Sequence, residues 1–232
     1  MKHLYLILLS WLFINHACGQ ETVSKSNSIS TTNIKEKFHV LKSNKNIRHG
    51  EYLAKTNKTI IAQGNYENGQ RVGHWRFLNQ KGEAIQLYDY TKHKLIFTDT
   101  ADVKHLTYAF EQPLKENDTV RYPIKIGGVY YGLMPLVLEQ NQVVKQLFSE
   151  NMDTKTLELM HIFSISADGE LIKHEILVTG NNLDKSFTVT DKDFDDEFKK
   201  FIPAQLNHHP VQSKVYIQST VNFFANVSIR RL

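Results

Sequence analysis

Hydrophobic and polar residues alternate along much of this chain, and turn-forming pairs interrupt the alternation. Gly64-Asn65-Tyr66-Glu67-Asn68-Gly69-Gln70-Arg71-Val72-Gly73-His74-Trp75-Arg76-Phe77 sets Tyr66, Trp75 and Phe77 on one face of a ribbon. Asn68-Gly69 supplies the positive φ that a tight hairpin turn demands. The stretch predicts a β-hairpin. His49-Gly50-Glu51-Tyr52 is echoed by Gln63-Gly64-Asn65-Tyr66, and more weakly by Leu87-Tyr88-Asp89-Tyr90. Lys81-Gly82 marks another turn between them. A hairpin of this size is not stable alone, so neighbouring hairpins must stack to bury their aromatic faces.

The pattern changes in the C-terminal hundred residues. Leu133, Leu136, Val137, Val144, Leu147 and Phe148 recur at helical spacing, and Pro135 suits a first turn. Leu157 to Ala167 and Glu170 to Thr179 read as strands joined by the Asp168-Gly169 turn. Thr190 and Asp193 form a capping-box variant, followed by an apolar face of Phe194, Phe198, Phe201 and Ile202 that ends at Pro203. Ser213 to Phe224 alternates again, with Val215, Ile217, Val221 and Phe223 on one face and Tyr216, Gln218, Thr220 and Asn222 on the other. The order helix, strand, strand, helix, strand predicts an α+β unit with helices packed on an antiparallel sheet. Before it, Lys104 to Phe110 has strand character, Glu111 to Asp118 is a polar turn, and Pro123 marks an edge or an extended lead-in.

These motifs carry two resemblances. Gly64, Tyr66, Gly69, Gly73 and Trp75 resemble the bacterial MORN-like repeat, with its Gly-x-Tyr-x-x-Gly and Gly-x-Trp pattern, over roughly fifty residues. Phe163-Ser164-Ile165-Ser166-Ala167-Asp168-Gly169-Glu170-Leu171-Ile172 resembles the first hairpin of a TonB C-terminal domain. Phe201-Ile202-Pro203-Ala204 is similar to that family's helix exit, and Val211 through Phe223 to its last strand. Ile124-Lys125-Ile126-Gly127-Gly128 is similar to the lead-in of secreted relatives. The resemblance implies a final strand that accepts a strand from a partner. An exposed edge offers N–H and C=O groups in register. Val215, Tyr216, Ile217, Gln218 and Thr220 are therefore the candidate partner-binding edge.

The N-terminus bears on location. Lys2, the apolar run from Leu4 to Ile14, and the small residues Ala17 and Gly19 have the layout of a secretory signal. The run falls short of the ~20 apolar residues a bilayer span needs. Cys18 follows Ala17, where a bacterial lipoprotein signal would place its acylated cysteine. Lipidation at Cys18 and its removal with the leader both stay open. The chain thus divides into a signal peptide at 1–19, a flexible tether at 20–45 rich in Ser, Thr, Asn and Lys, and hairpin repeats at 46–100. A connecting segment at 101–125 leads into the α+β unit at 126–232.

Charge and motif content narrow the chemistry. The net charge of +4 is scattered among acids, which excludes a basic nucleic-acid stripe. A single cysteine excludes an intramolecular disulfide and repeated-cysteine zinc sites. Asp191-Lys192-Asp193-Phe194-Asp195 opens like a calcium loop, but Asp196 stands where glycine is needed and Ile202 where glutamate is needed. It reads as an acidic first turn of a helix. His208-His209, His49 and His74 read as surface histidines, and Tyr130-Tyr131 as core in preference to an exposed patch. No nucleophile elbow or phosphate loop occurs. No catalytic, cofactor or metal residue is assigned. The expectation is a non-catalytic exported protein of the periplasm or outer membrane that binds an envelope protein or cell-wall component. Its membrane contact runs only through a lipid at Cys18. The alternative is a secreted or lipid-anchored enzyme, or an enzyme inhibitor, with an unfamiliar site.

Overall fold

The computed structural model describes residues 20–29, 32–99, 106–149, 157–180, 183–190 and 196–220. Among these the chain is mostly antiparallel β-sheet with a single helical segment. The whole signal segment at 1–19 with Cys18, the Asp191–Asp195 stretch and Val221 onward lie outside the described residues.

Seven strands in chain order form a meander. They are β1 (Thr22–Ser28), β2 (Ile34–Leu41), β3 (Arg48–Thr56), β4 (Thr59–Glu67), β5 (Gln70–Leu78), β6 (Ala84–Asp89) and β7 (Lys94–Thr98). The segment expected to be a flexible tether thus supplies two strands. In β2 the inward positions Ile34, Phe38 and Val40 alternate with exposed or half-buried residues, which anchors the strand to the core. β1 shows almost no burial and is held by its backbone ladder with β2.

The Asn68-Gly69 turn forms as expected, with φ of 48° and 88° and Glu67 paired with Gln70. Trp75 explains a second glycine of the motif. Its ring is fully buried and packs on Tyr52, Tyr66 and Tyr90 at centroid distances of 5.0, 5.3 and 5.5 Å. A Cβ on Gly64 would lie 2.3 Å from the indole. The ladder shifts register beside Gly64, so a bulge and a missing side chain together admit the ring.

The chain then forms β8 (Thr107–Phe110) and the short pairs β9 (Val120–Arg121) and β10 (Ile124–Lys125) on either side of Pro123. The helical segment follows: a π-turn at Gly128–Leu133, α1 (Met134–Leu138) and α2 (Gln140–Ser149). Beyond it come β11 (Glu158–Ile165), β12 (Leu171–Gly180) and β13 (Leu183–Thr188). The second helix expected after Thr190 is absent among the described residues. Asp196–Lys199 is one 3-10 turn, and Phe201–Ile202 is β14. β14 pairs with β10, and a backbone bond from Phe201 to the Gly169 carbonyl holds it against the Asp168-Gly169 turn. These long-range bonds outweigh the helical spacing of the phenylalanines. β15 (Ala204–Leu206), β16 (His209–Val211) and β17 (Ser213–Thr220) complete the chain.

The second large sheet has the order β13-β12-β11-β17-β8. β17 therefore lies inside the sheet over Ser213–Tyr216, where β8 pairs on one side and β11 on the other. Both halves share one core. Trp75, Phe77 and Ile85 of the first sheet belong to the same buried cluster as Leu136, Phe163, Val215 and Ile217. Gln86 adds a polar tie across it: its Nε2 donates to the Lys125 carbonyl at 3.1 Å, and its Oε1 accepts from the Gly127 N–H at 2.8 Å.

Two glycine variants test this packing. Gly64→Ala is expected to cost about 2–3 kcal/mol, because β4 or the indole must move. Gly73→Ala is expected to cost about 1 kcal/mol, because Gly73 has a positive φ of 62° but no atom within 4 Å of an added Cβ. Urea unfolding of both variants measures the difference, and equal losses would contradict the role given to Trp75.

Candidate functional site

Along the inner face of the first sheet, strand alternation brings Glu36 (β2), Arg48 and Tyr52 (β3), Tyr66 (β4) and Arg71 (β5) together. Tyr131 of the π-turn enters this group from the other half of the molecule. It is 1% exposed, stacks on Phe77 at 5.5 Å and meets Phe198 of the 3-10 turn at 5.1 Å. The Tyr130-Tyr131 pair is thus core at Tyr131, with Tyr130 half-buried against the same cluster.

Arg71 is buried, with its guanidinium 4.6 Å from the Trp75 ring centre and 5.7 Å from that of Phe198. A buried cation must be solvated by the protein. Here Nε donates to Tyr66 Oη at 3.2 Å, Nη1 to Tyr90 Oη at 2.9 Å and Nη2 to Tyr131 Oη at 3.2 Å. Tyr52 donates to Glu36 Oε1 at 2.6 Å, so its own oxygen accepts from Tyr131 at 2.8 Å. The result is a directed relay, Arg71 to Tyr131 to Tyr52 to Glu36. Arg48 closes the group, donating from Nη1 to Tyr66 Oη at 3.0 Å and from Nη2 to Glu36 Oε2 at 3.4 Å.

The environment fixes these protonation states. Burial, with help from Tyr131 and the Glu36 charge, raises the Tyr52 phenol well above its usual range. Burial likewise raises Tyr131, and it pushes Tyr90 up to about 12 against the opposing pull of Arg71. Burial works against the charge on Arg48, but Tyr66 and Glu36 outweigh it and hold the guanidinium above its ordinary value. Tyr52, Tyr90 and Tyr131 therefore stay neutral donors and Arg48 stays charged across physiological pH.

A cleft of about 800 Å³ opens over this group. Arg48, Tyr66, Arg71 and Tyr90 line it together with Thr91, His93, Asp196, Glu197 and Lys200. Lys200 donates to Glu197 Oε1 at 2.8 Å on the wall formed by the 3-10 turn. Sequence reasoning assigned no site here. Tyr66 and Arg71 lie within the motif, but nothing in their spacing announces Glu36 or Tyr131 as partners.

The strand proposed as a docking edge is placed differently. Val215 and Ile217 are buried at 1% and 0% exposure, and Tyr216 is paired on both sides. The edge is lost at Val215 and Tyr216 because β8, a strand a hundred residues earlier in the chain, covers it. From Ile217 to Thr220 the strand pairs with β11, and Gln218 donates to Glu158 Oε2 at 3.3 Å. Among the described residues no three His, Cys, Asp or Glu side chains are grouped to hold a metal ion. His74 is exposed, 3.4 Å from Asp89, while Asn207-His208 forms the β15–β16 turn at positive φ and His209 opens β16.

A second polar group lies in the other sheet. His161 Nδ1 meets His174 Nε2 at 3.1 Å, and its Nε2 meets Gln140 Oε1 and Ser219 Oγ, each at 3.1 Å. Ser219 Oγ donates to Gln140 at 2.7 Å. Serine beside paired histidines suggests a nucleophile relay. All four residues are at most 2% exposed, however, so this group is a polar core. Comparison with protein-family models, curated proteins and solved structures returns no match.

Burial and His174 hold His161 well below the usual histidine range of 6.5. The unfolded chain takes up a proton as pH falls below about 6.5, whereas the folded chain does not. Stability is therefore full above that pH and declines below it, by roughly 1 kcal/mol per pH unit for this proton. The melting temperature is expected to fall between pH 6.5 and 5, and a folded His161→Gln variant to show a shallower slope. Identical slopes in the two proteins would contradict the assignment.

Proposed function

We propose that this chain is a non-catalytic exported protein of the cell envelope, and that it docks an envelope protein or cell-wall component in the cleft at the seam of its two sheets. One observation carries the reading: the cleft floor is made of guanidiniums and phenols that hold one another in fixed positions. Such groups orient a ligand by hydrogen bonds and charge. The apolar leader from Leu4 to Ile14 supports export, and Cys18 supplies a lipid attachment point where acylation follows. The resemblances of residues 46–100 to MORN-like repeats and of 126–232 to TonB C-terminal domains favour the same reading, since both are contact-making modules.

A photo-crosslinking residue at Thr91, on the cleft rim, is expected to capture a partner in envelope fractions of native cells. The same residue at Ile172, an exposed position of β12, is expected not to. Equal capture from both positions, or a protein that keeps its leader in the cytosol, would overturn the proposal.

A further inference from the structure

We infer that the outer face of the first sheet is a second docking surface, and that it takes an extended acidic segment of a partner protein. This face lies opposite the one that carries Glu36, Arg48 and Arg71, so the inference stands apart from the cleft. In β2 the buried Ile34, Glu36 and Phe38 point inward, which turns Lys35 and Lys37 outward. Buried Tyr52 and Ala54 likewise turn Leu53 and Lys55 outward in β3, and buried Trp75 and Phe77 turn Arg76 outward in β5. The ladder sets Lys35 directly opposite Lys55. It sets Lys37 opposite Leu53, and that row continues through Gln63 and Arg76 to Leu87. Lys35, Lys37, Lys55 and Arg76 thus converge on one exposed face from three strands. Among the described residues none of them enters an ion pair or a side-chain hydrogen bond, whereas Lys42, Arg48, Lys92 and Lys173 each meet a carboxylate. Like charges directly opposite each other weaken a strand pair. An anionic partner turns that repulsion between Lys35 and Lys55 into attraction.

The shape of the face selects the kind of anion. A groove of about 410 Å³ lies beside the cations, opening over Gly64, where the β4–β5 ladder shifts register. Leu53 and Leu87 give its lining an apolar part, and Gln63 and Asn65 give it amides. The leucines suit apolar side chains of a bound segment. Each amide offers a donor and an acceptor, which matches the N–H and C=O of a peptide main chain. Arg76 belongs both to the groove and to the cationic group, so one segment can fill the groove and lay its carboxylates along the lysines. Glu51 also lines the groove. Its charge opposes a uniformly anionic bilayer or polyphosphate, and a bilayer surface does not follow a recess. A peptide places a neutral residue there.

Fluorescence anisotropy of labelled probes with the whole chain tests this. The probes are a hexapeptide of alternating aspartate and leucine, and the same peptide with asparagine for aspartate. The acidic peptide is expected to bind saturably and the asparagine peptide roughly tenfold more weakly. Raising sodium chloride from about 50 to about 300 mM is expected to weaken the acidic peptide several-fold. Lys35→Gln combined with Lys55→Gln is expected to lower its affinity roughly tenfold while the urea midpoint holds or rises, because the variant removes a repulsion. Arg76→Gln gives a second reading of the same loss if the double variant does not fold. Lys81→Gln, in the turn between β5 and β6, is expected to bind as the parent does. No binding of the acidic peptide, equal affinity for the two peptides, an unchanged affinity in the folded variants, or an equal loss in Lys81→Gln would each overturn the inference. Phosphatidylglycerol vesicles that sediment the chain, and lose it in the same double variant, would overturn it in favour of a lipid surface.

Discussion

The burial of Arg71 constrains the rest of this molecule. A guanidinium withdrawn from water must find donor-accepting groups and aromatic faces inside the protein, or the fold loses stability. The first sheet supplies Tyr66, Tyr90 and the Trp75 ring. A further partner, Tyr131, comes from the helical segment that begins the second half. Satisfying the charge therefore fixes where the second half sits on the first. Tyr131 extends the bonding through Tyr52 to Glu36, so the strand that opens the inner ladder is drawn into the same junction. Apolar packing gives the interface its area, and this relay gives it a register.

The same arrangement forms the floor of the cleft. Tyr66 and Tyr90 accept from the arginines and also line the cleft. Mutual hydrogen bonding fixes these side chains in place, as the docking role proposed above requires.

Local features of the fold were legible in the sequence. Asn68-Gly69 and Asp168-Gly169 made their turns, the apolar positions from Leu133 onward made a helical segment, and the strands around the repeat echoes formed. The failures share a physical cause. β1 buries almost nothing, so its polar residues gave no alternation to detect. In β2 the inward position between Ile34 and Phe38 is Glu36, whose burial depends on Arg48 and Tyr52 far along the chain. Phe198 and Phe201 kept helical spacing, yet one packs from a 3-10 turn and the other from a strand beside Gly169. The first half of the strand read as an edge, Ser213 to Tyr216, is covered by β8, a pairing across a hundred residues that no local pattern encodes. The cleft was hidden for the same reason: its lining comes from separate strands, the turn after β6 and the 3-10 turn.

The central claim is that both sheets fold as one unit joined at Tyr131. Urea unfolding with one probe in each half tests it most directly. In a chain carrying Trp11→Phe, Trp75 is the sole tryptophan and reports the first sheet, while the ring protons of His161 and His174 report the second. Coincident transitions, both shifted to lower urea by Tyr131→Phe, are the predicted result. Two separate transitions, or a Tyr131→Phe shift confined to one probe, would contradict the account.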